Sequence, residues 1–137
     1  MEKRIYLDSN AIIYLVENTI KKPSVLSALA QYPGYTLCSS ALALMECLVK
    51  PLQSNNQLLA ATYDAYFQTL LLIPSHLGVF RRAARIRALT NLRTPDALHP
   101  AYASTGRCEV IITGDQKLAT VWNQKRSLPF PTSAVLV

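Results

Sequence analysis

The sequence of 137 residues has few of the residues that mark several common kinds of site. With two histidines and four scattered glycines, it indicates neither a Ser-His-Asp triad nor a glycine-rich phosphate loop. Its three cysteines lie in apolar segments and match no zinc-binding spacing, so we expect reduced core residues of a cytoplasmic protein. No apolar run is long enough to span a membrane, and the charged N-terminus does not resemble a signal peptide.

Acidic residues are also scarce. Eight acidic residues face fourteen basic ones, which gives a net charge of +6. Half of the chain is apolar and 16% is charged, a composition typical of a globular protein, and we predict one domain over residues 1–137. The basic excess suggests an anionic partner such as nucleic acid, but a merely soluble basic protein would have the same composition.

Strands and helices alternate along the chain. Apolar runs predict strands at residues 5–7, 35–38, 71–73 and 110–113, and an edge strand within 128–137. Helices are predicted at 11–16, 24–32, 41–49, from 54 onward, at 76–89, at 94–104 and after 115. Each connection is long enough for a parallel crossover. We therefore predict an α/β fold whose mostly parallel central sheet has helices on both faces.

Helix boundaries are predicted from capping residues and prolines. Ser24 is expected to cap the second helix and Ser39 or Ser40 the third, which should end before Pro51. Ser54 is expected to open the fourth. Thr94 should cap the sixth, with proline at its first position.

Four of the eight acids lie close to predicted strand ends. Asp8 follows the first strand, and Asp115 follows the strand at 110–113. Asp96 lies in the first turn of the helix that leads to that strand, and Glu46 lies within the apolar helix after the second strand. Because ligands of parallel sheets bind at the carboxyl ends of the strands, these acids are candidates for one site.

Each acid also has a structural explanation. Asp8 and Asp115 can cap helices, and Asp96 can favour a helix N-terminus through the macrodipole. Glu46 can pair with Lys50 one turn later. Glu46 is the hardest to explain in this way, because a carboxylate among apolar neighbours costs free energy unless something compensates its charge.

A cluster of carboxylates would require a cation. Carboxylates that approach one another raise each other's pKa, and a metal ion relieves the repulsion. Oxygen ligands suit Mg²⁺ or Mn²⁺. Those ions polarise phosphoryl oxygens and activate water for attack on a phosphodiester. An acidic metal pocket on a basic protein is therefore suited to a polyanionic substrate.

Three arginines lie on one helix. Arg81, Arg82 and Arg85 fall within about 100° of one face of the helix predicted at 76–89. They can contact phosphates, or they can form a solvated surface; the pattern leaves both open.

The sequence resembles PIN-domain nucleases at four places in chain order. Leu7-Asp8-Ser9-Asn10-Ala11 looks like their opening motif, and Glu46 after Ser39-Ser40 resembles their second acid. The stretch LRTPDALH at 92–99 closely resembles the third motif. The stretch IITGD at 111–115 resembles the fourth, with Gly114 where Asn is more usual.

This resemblance implies a fold and a function. A stand-alone PIN domain of this length is similar to VapC-type toxins of bacterial toxin–antitoxin pairs, which have a three-layer fold and are Mg²⁺- or Mn²⁺-dependent ribonucleases. It implies an RNA substrate, an antitoxin partner and a homodimer. By the same resemblance the metal-binding acids are Asp8, Glu46, Asp96 and Asp115, with Asn10 and Thr113 as polar helpers.

Pro100 and His99 lie at or just after the end of the third motif. Pro100 lies inside the predicted helix, where an interior proline costs around 3 kcal/mol unless compensated, so we expect it to kink the helix and shift Asp96. His99 lies one turn after Asp96, and we expect it to hydrogen-bond rather than to bind metal.

Two other functions are compatible with parts of the pattern. A phosphohydrolase of the haloacid-dehalogenase type also uses an Asp after the first strand, but it needs a second Asp where this chain has Asn10. The remaining alternative is a degenerate PIN-like module that binds RNA or protein without cleaving.

Overall fold

The computed structural model describes residues 2–125 and 132–137. Their strands form one five-stranded sheet in the order β3-β2-β1-β4-β5. Every neighbouring pair is parallel, which confirms the predicted α/β fold. The strands are β1 (Arg4–Leu7), β2 (Thr36–Ser39), β3 (Leu71–Leu72), β4 (Val110–Thr113) and β5 (Ser133–Leu136).

Helices connect the strands. They are α1 (Ser9–Val16), α2 (Lys22–Ala30), α3 (Ala41–Gln53), α4 (Gln57–Phe67), α5 (Leu77–Thr90), α6 (Thr94–Thr105) and α7 (Gln116–Lys125). Within the described part of the chain, no helix combines the length and apolarity needed to cross a bilayer. The predicted edge strand is β5, and residues 128–131 of that prediction lie outside the described residues. That residues 1–137 form a single domain stays a prediction.

Apolar side chains cover both faces of the sheet. Successive side chains of a strand point to opposite faces, so Tyr6 packs with α5 and α6 while Ile5 and Leu7 pack with α1 and α3. The strands of a parallel sheet covered on both faces are apolar throughout, and β4 is buried at all four positions. The result is the three-layer arrangement expected from the sequence.

Several predicted helix boundaries are wrong. α3 continues past Pro51 to Gln53; a proline this close to the end disturbs only the last turn, because it removes a single amide. α2 begins at Lys22, with proline in its first turn, instead of being capped by Ser24. Ser54 closes α3 by donating to the Lys50 carbonyl, and Asn56 caps α4 in its place.

The helix that carries Asp96 begins with Thr94 as its first residue, although Thr94 was expected to be its cap. Arg93 precedes α6 without a side-chain cap, so the predicted capping by Thr94 is wrong. Pro100 is buried within the helix, which continues to Thr105. The missing proline amide deprives the Asp96 carbonyl of its usual intrahelical donor, but Asp96 keeps its place in the first turn.

Candidate metal centre

Asp8 is fixed at the carboxyl end of the central strand. Its amide donates to the Ile112 carbonyl at 3.0 Å and continues the pairing between β1 and β4. Its buried carboxylate accepts from the Thr113 hydroxyl at 2.7 Å and from the Ser9 hydroxyl at 3.2 Å. Asp8 makes no side-chain cap to α1, so capping does not explain the residue.

Glu46 and His99 approach Asp8 from α3 and α6. His99 Nε2 lies 2.6 Å from Glu46 Oε1 and 3.5 Å from Asp8 Oδ1. Glu46 thus has a partner other than the expected Lys50. Within residues 2–125 and 132–137, these three side chains are the group whose ligand atoms all lie within 4.8 Å of one another.

A buried hydrogen-bond chain holds the His99 ring from behind. His99 Nδ1 lies 2.8 Å from the Tyr6 hydroxyl, which lies 2.7 Å from the Ser40 hydroxyl. Ser40 also accepts from the Ala43 amide and so caps α3, as the sequence predicted. These hydrogen bonds hold the His99 ring so that its Nε2 faces the carboxylates of Glu46 and Asp8. His99 thus makes hydrogen bonds as expected from the sequence, while its Nε2 also lies among the candidate ligand atoms.

The charges of the three side chains depend on one another. Burial lowers the pKa of His99, but the charges of Asp8, Glu46 and Asp96, together with the Glu46 hydrogen bond, outweigh it and raise that pKa above 6.5. Burial raises the pKa of Glu46, but His99, Ser9 and Arg93 bring it below 4.5. The arrangement therefore favours an imidazolium at His99 and an ionised carboxylate at Glu46.

Asp96 and Asp115 lie outside the group of three. Asp96 Oδ2 lies 3.1 Å from Arg93 Nε, and its charge acts on His99. Asp115 Oδ1 accepts from the Leu118 amide at 3.1 Å, the helix-capping contact expected from the structural explanation. The structure thus brings together two of the four predicted acids with a histidine.

Asn10 and Thr113 organise the turn between β4 and α7. Asn10 Oδ1 accepts from the Gly114 amide at 2.7 Å. Thr113 accepts from the Asp115 amide at 3.0 Å while it donates to Asp8. A Cβ at Gly114 would lie 2.7 Å from the Tyr14 hydroxyl, so glycine permits this close approach.

The three arginines of α5 differ in their surroundings. Arg81 and Arg85 are exposed. Arg82 is partly buried, and its guanidinium donates to the Ser104 hydroxyl at 3.2 Å. In the part of the chain that the structure describes, Arg81 and Arg85 make no such contact, so they are the better candidates for phosphate binding.

Sequence reasoning did not place Tyr6 and Ser40 at this site, and it did not count His99 among the candidate ligands. The i,i+3 spacing of Asp96 and His99 puts both on one helix face and was the available signal. Tyr6 gave no signal, because an aromatic residue in a buried strand is ordinarily core.

The side chains of Asp8, Glu46 and His99 supply two carboxylates and an imidazole, a donor set that suits a divalent cation.

The fold is shared with several solved structures. A chain of VapBC2 from Rickettsia felis bound to a promoter DNA fragment matches with a TM-score of 0.71 and 15% identity, covering 97% of this chain and 98% of that one. A toxin-antitoxin complex from Klebsiella pneumoniae matches with a TM-score of 0.71 and 20% identity, covering 97% and 99%. VapBC-1 from nontypeable Haemophilus influenzae matches with a TM-score of 0.72 and 16% identity, covering 96% and 97%. At such identities the likeness establishes the fold alone.

Sequence comparison gives the family. No curated protein matches the chain, whereas the family model of the PIN domain matches residues 5–122. That range begins at the second residue of β1, continues through β4 and contains all four acids predicted from the motifs. The chain therefore belongs to the PIN domain family.

Proposed function

We propose that this protein is a divalent-metal-dependent endoribonuclease and the toxin of a VapBC-type toxin–antitoxin pair. The observation that carries the proposal is the approach of Asp8, Glu46 and His99 to within 4.8 Å at the carboxyl edge of the sheet. Ligands of open parallel sheets bind at this edge. The PIN family match and the net charge of +6 support the same function.

The side chains at the cluster suit a metal ion. Asp8 and Glu46 would hold it through carboxylate oxygens and His99 through Nε2, with Asp96 and Asp115 proposed as further ligands. We propose Mg²⁺ or Mn²⁺, and the imidazole favours the second. When bound, such an ion would polarise the phosphodiester and lower the pKa of water.

The protein contributes the orientation of its own groups. Thr113 and Ser9 hold the two oxygens of Asp8, so the carboxylate loses little freedom on binding a cation or a substrate. Tyr6 holds the ring of His99 in the same way. Such partners fix ligand geometry and are characteristic of functional metal sites.

RNA is the proposed substrate. Side chains cannot read the deep groove of an A-form helix, so selection would depend on RNA shape and on unpaired bases. We therefore propose cleavage at an unpaired loop of a structured RNA. Arg81, Arg82 and Arg85 are proposed to contact its phosphates.

The proposed partners follow from the toxin assignment. An antitoxin would cover the acidic pocket, and a basic side chain inserted there would replace the charge of the metal. Similar structures that are toxin–antitoxin complexes support such a partner. We also propose a homodimer, and a cytoplasmic location, which three free cysteines suit.

The two alternative functions are a phosphohydrolase and a module that binds without cleaving. PIN family membership disfavours a haloacid-dehalogenase-like phosphohydrolase, and so does Asn10 at the position where that chemistry needs a second Asp. A degenerate module that only binds RNA or protein remains the competing function, and cleavage distinguishes it.

The test compares three proteins on a structured RNA. The parent chain should produce new RNA ends with Mg²⁺ or Mn²⁺ and none with EDTA. Asp8→Asn should be inactive, whereas Asp64→Asn, which removes an exposed carboxylate on α4, should cleave like the parent. Expression in a bacterial host should slow growth for the parent and the Asp64 variant only. Identical RNA from the parent and Asp8→Asn would refute the nuclease and leave a binding module.

A further inference from the structure

Arg93 is an exposed arginine near the cluster formed by Asp8, Glu46 and His99. It precedes α6, and its side chain is 78% exposed, whereas that of its partner Asp96 is 14% exposed. The guanidinium Nε lies 3.1 Å from Asp96 Oδ2. Its charge also reaches Glu46, where it acts with His99 and Ser9 against the effect of burial on the pKa. Arg93 is thus an exposed cation whose charge acts on Asp96 and Glu46.

The contact between Arg93 and Asp96 is easily exchanged. The arginine of this ion pair is exposed, so water screens its charge and the long side chain loses freedom when it pairs. A guanidinium also forms two parallel hydrogen bonds with a phosphate. Arg93 can therefore leave Asp96 for an incoming phosphate at small cost.

We propose that Arg93 is a substrate-positioning residue that exchanges Asp96 for an RNA phosphate when a divalent cation occupies the cluster. This inference rests on the proposed function. Without a cation, Arg93 neutralises the Asp96 carboxylate. With a cation at Asp8, Glu46 and His99, the Asp96 carboxylate interacts with that cation. The Arg93 guanidinium is then released and can bind the RNA backbone.

Competition for Asp96 couples the two ligands. A cation and Arg93 cannot both fully engage one carboxylate, so cation binding increases the availability of the guanidinium for RNA. By linkage, RNA bound to Arg93 must strengthen cation binding by the same factor. Arg81 and Arg85 on α5 can attract RNA, but neither makes a salt bridge to the acids of the site within the described residues.

The test measures two affinities on Arg93→Gln. Mn²⁺ binding is followed by the electron paramagnetic resonance signal of the free ion. RNA binding is followed by fluorescence anisotropy of a labelled hairpin with phosphorothioate linkages, whose integrity is checked on gels. Arg85→Gln, which removes an exposed arginine of α5, is the matched control, and Arg93→Lys tests the guanidinium itself.

The proposal predicts effects of opposite sign. Arg93→Gln should bind Mn²⁺ about two- to fivefold more tightly, because a competing ion pair is lost. It should bind RNA about tenfold more weakly in the presence of Mn²⁺, because a charged hydrogen bond is lost. Arg85→Gln should leave Mn²⁺ affinity unchanged. Arg93→Lys should keep the parent Mn²⁺ affinity and recover part of the RNA affinity.

Other results would overturn it. If Arg93→Gln weakens Mn²⁺ and RNA binding together, Arg93 has a structural role. If it leaves RNA affinity unchanged, Arg93 does not contact the substrate. In both cases a parent protein that binds Mn²⁺ and cleaves RNA would keep the proposed function intact. A parent that binds neither ligand would refute the proposed function and this inference together.

Discussion

His99 Nε2 lies 2.6 Å from Glu46 Oε1, so an imidazole from α6 meets a carboxylate from α3 beside Asp8. Three elements distant in sequence therefore share one buried charge cluster. The carboxylates beside His99 raise its pKa and so favour the protonated imidazole, whose positive charge offsets theirs. This relationship determines how stability should respond to pH, metal and substitution.

The metal-free protein should lose stability as pH rises above 6.5. Because the folded-state pKa of His99 is raised from 6.5, the folded state retains its proton over a range where the unfolded state has lost it. The contribution is fully present below 6.5 and is lost as pH rises through the folded pKa. Urea unfolding in EDTA across this range measures the slope.

His99→Gln provides the comparison. Its stability should vary less with pH over the same range, whatever its absolute value. A slope equal to that of the parent would show that His99 does not carry the dependence. At acidic pH the lowered pKa of Glu46 acts in the opposite direction, and stability should fall as pH decreases from 4.5 through that pKa.

Mn²⁺ should raise the melting temperature. A ligand that binds the folded state alone adds about 2.7 kcal/mol at a concentration one hundred times its Kd. Differential scanning fluorimetry of the parent and Asp64→Asn should show the shift, and Asp8→Asn should not. The shift should shrink at low pH, because protonated carboxylates do not coordinate. An equal shift in all three proteins would place Mn²⁺ binding elsewhere.

The sequence was a good guide to the sheet and to the place of Asp8 at its carboxyl edge. Buried strands such as β1 and β4 are apolar at nearly every position, so they can be recognised from the sequence alone. The acid that follows each strand therefore falls at the carboxyl edge. The four PIN-like motifs all lie within residues 5–122, the range that the family model matches.

The details that failed depend on tertiary context. Pro51 lies buried inside α3, which was expected to end before it, and local propensity cannot show the packing around it. The meeting of Glu46 with His99 joins residues 53 positions apart. Asp115 caps α7, and its amide donates to Thr113, which in turn binds Asp8. A role as helix cap and a role as metal ligand are therefore compatible for this residue.

The arginines of α5 should change the salt dependence of RNA binding. Each phosphate contact to a single strand contributes about −0.7 to the slope of log K against log salt. Replacing Arg81 and Arg85 with Gln should make that slope less negative by about 1.4 if both contact phosphates. Anisotropy titrations at several salt concentrations measure it.

Arg82→Gln is the internal comparison for this face. Its guanidinium already donates to Ser104, so it should affect the slope less than either exposed arginine does. An unchanged slope in the double variant would make the α5 arginines a solvated surface, as the alternative explanation holds.

Asp115 allows its two roles to be separated by the choice of substitution. Asparagine caps helices about as well as aspartate, whereas alanine does not. Asp115→Ala should therefore destabilise the protein by about 1 kcal/mol, because the Leu118 amide loses its acceptor. Asp115→Asn should keep that stability in urea unfolding with EDTA. If Asp115 is also a metal ligand, both variants should bind Mn²⁺ more weakly than the parent, to a similar extent. If it is only a cap, Asp115→Asn should match the parent in Mn²⁺ titrations, and the metal centre would then rest on Asp8, Glu46 and His99, with Asp96 as the remaining candidate ligand.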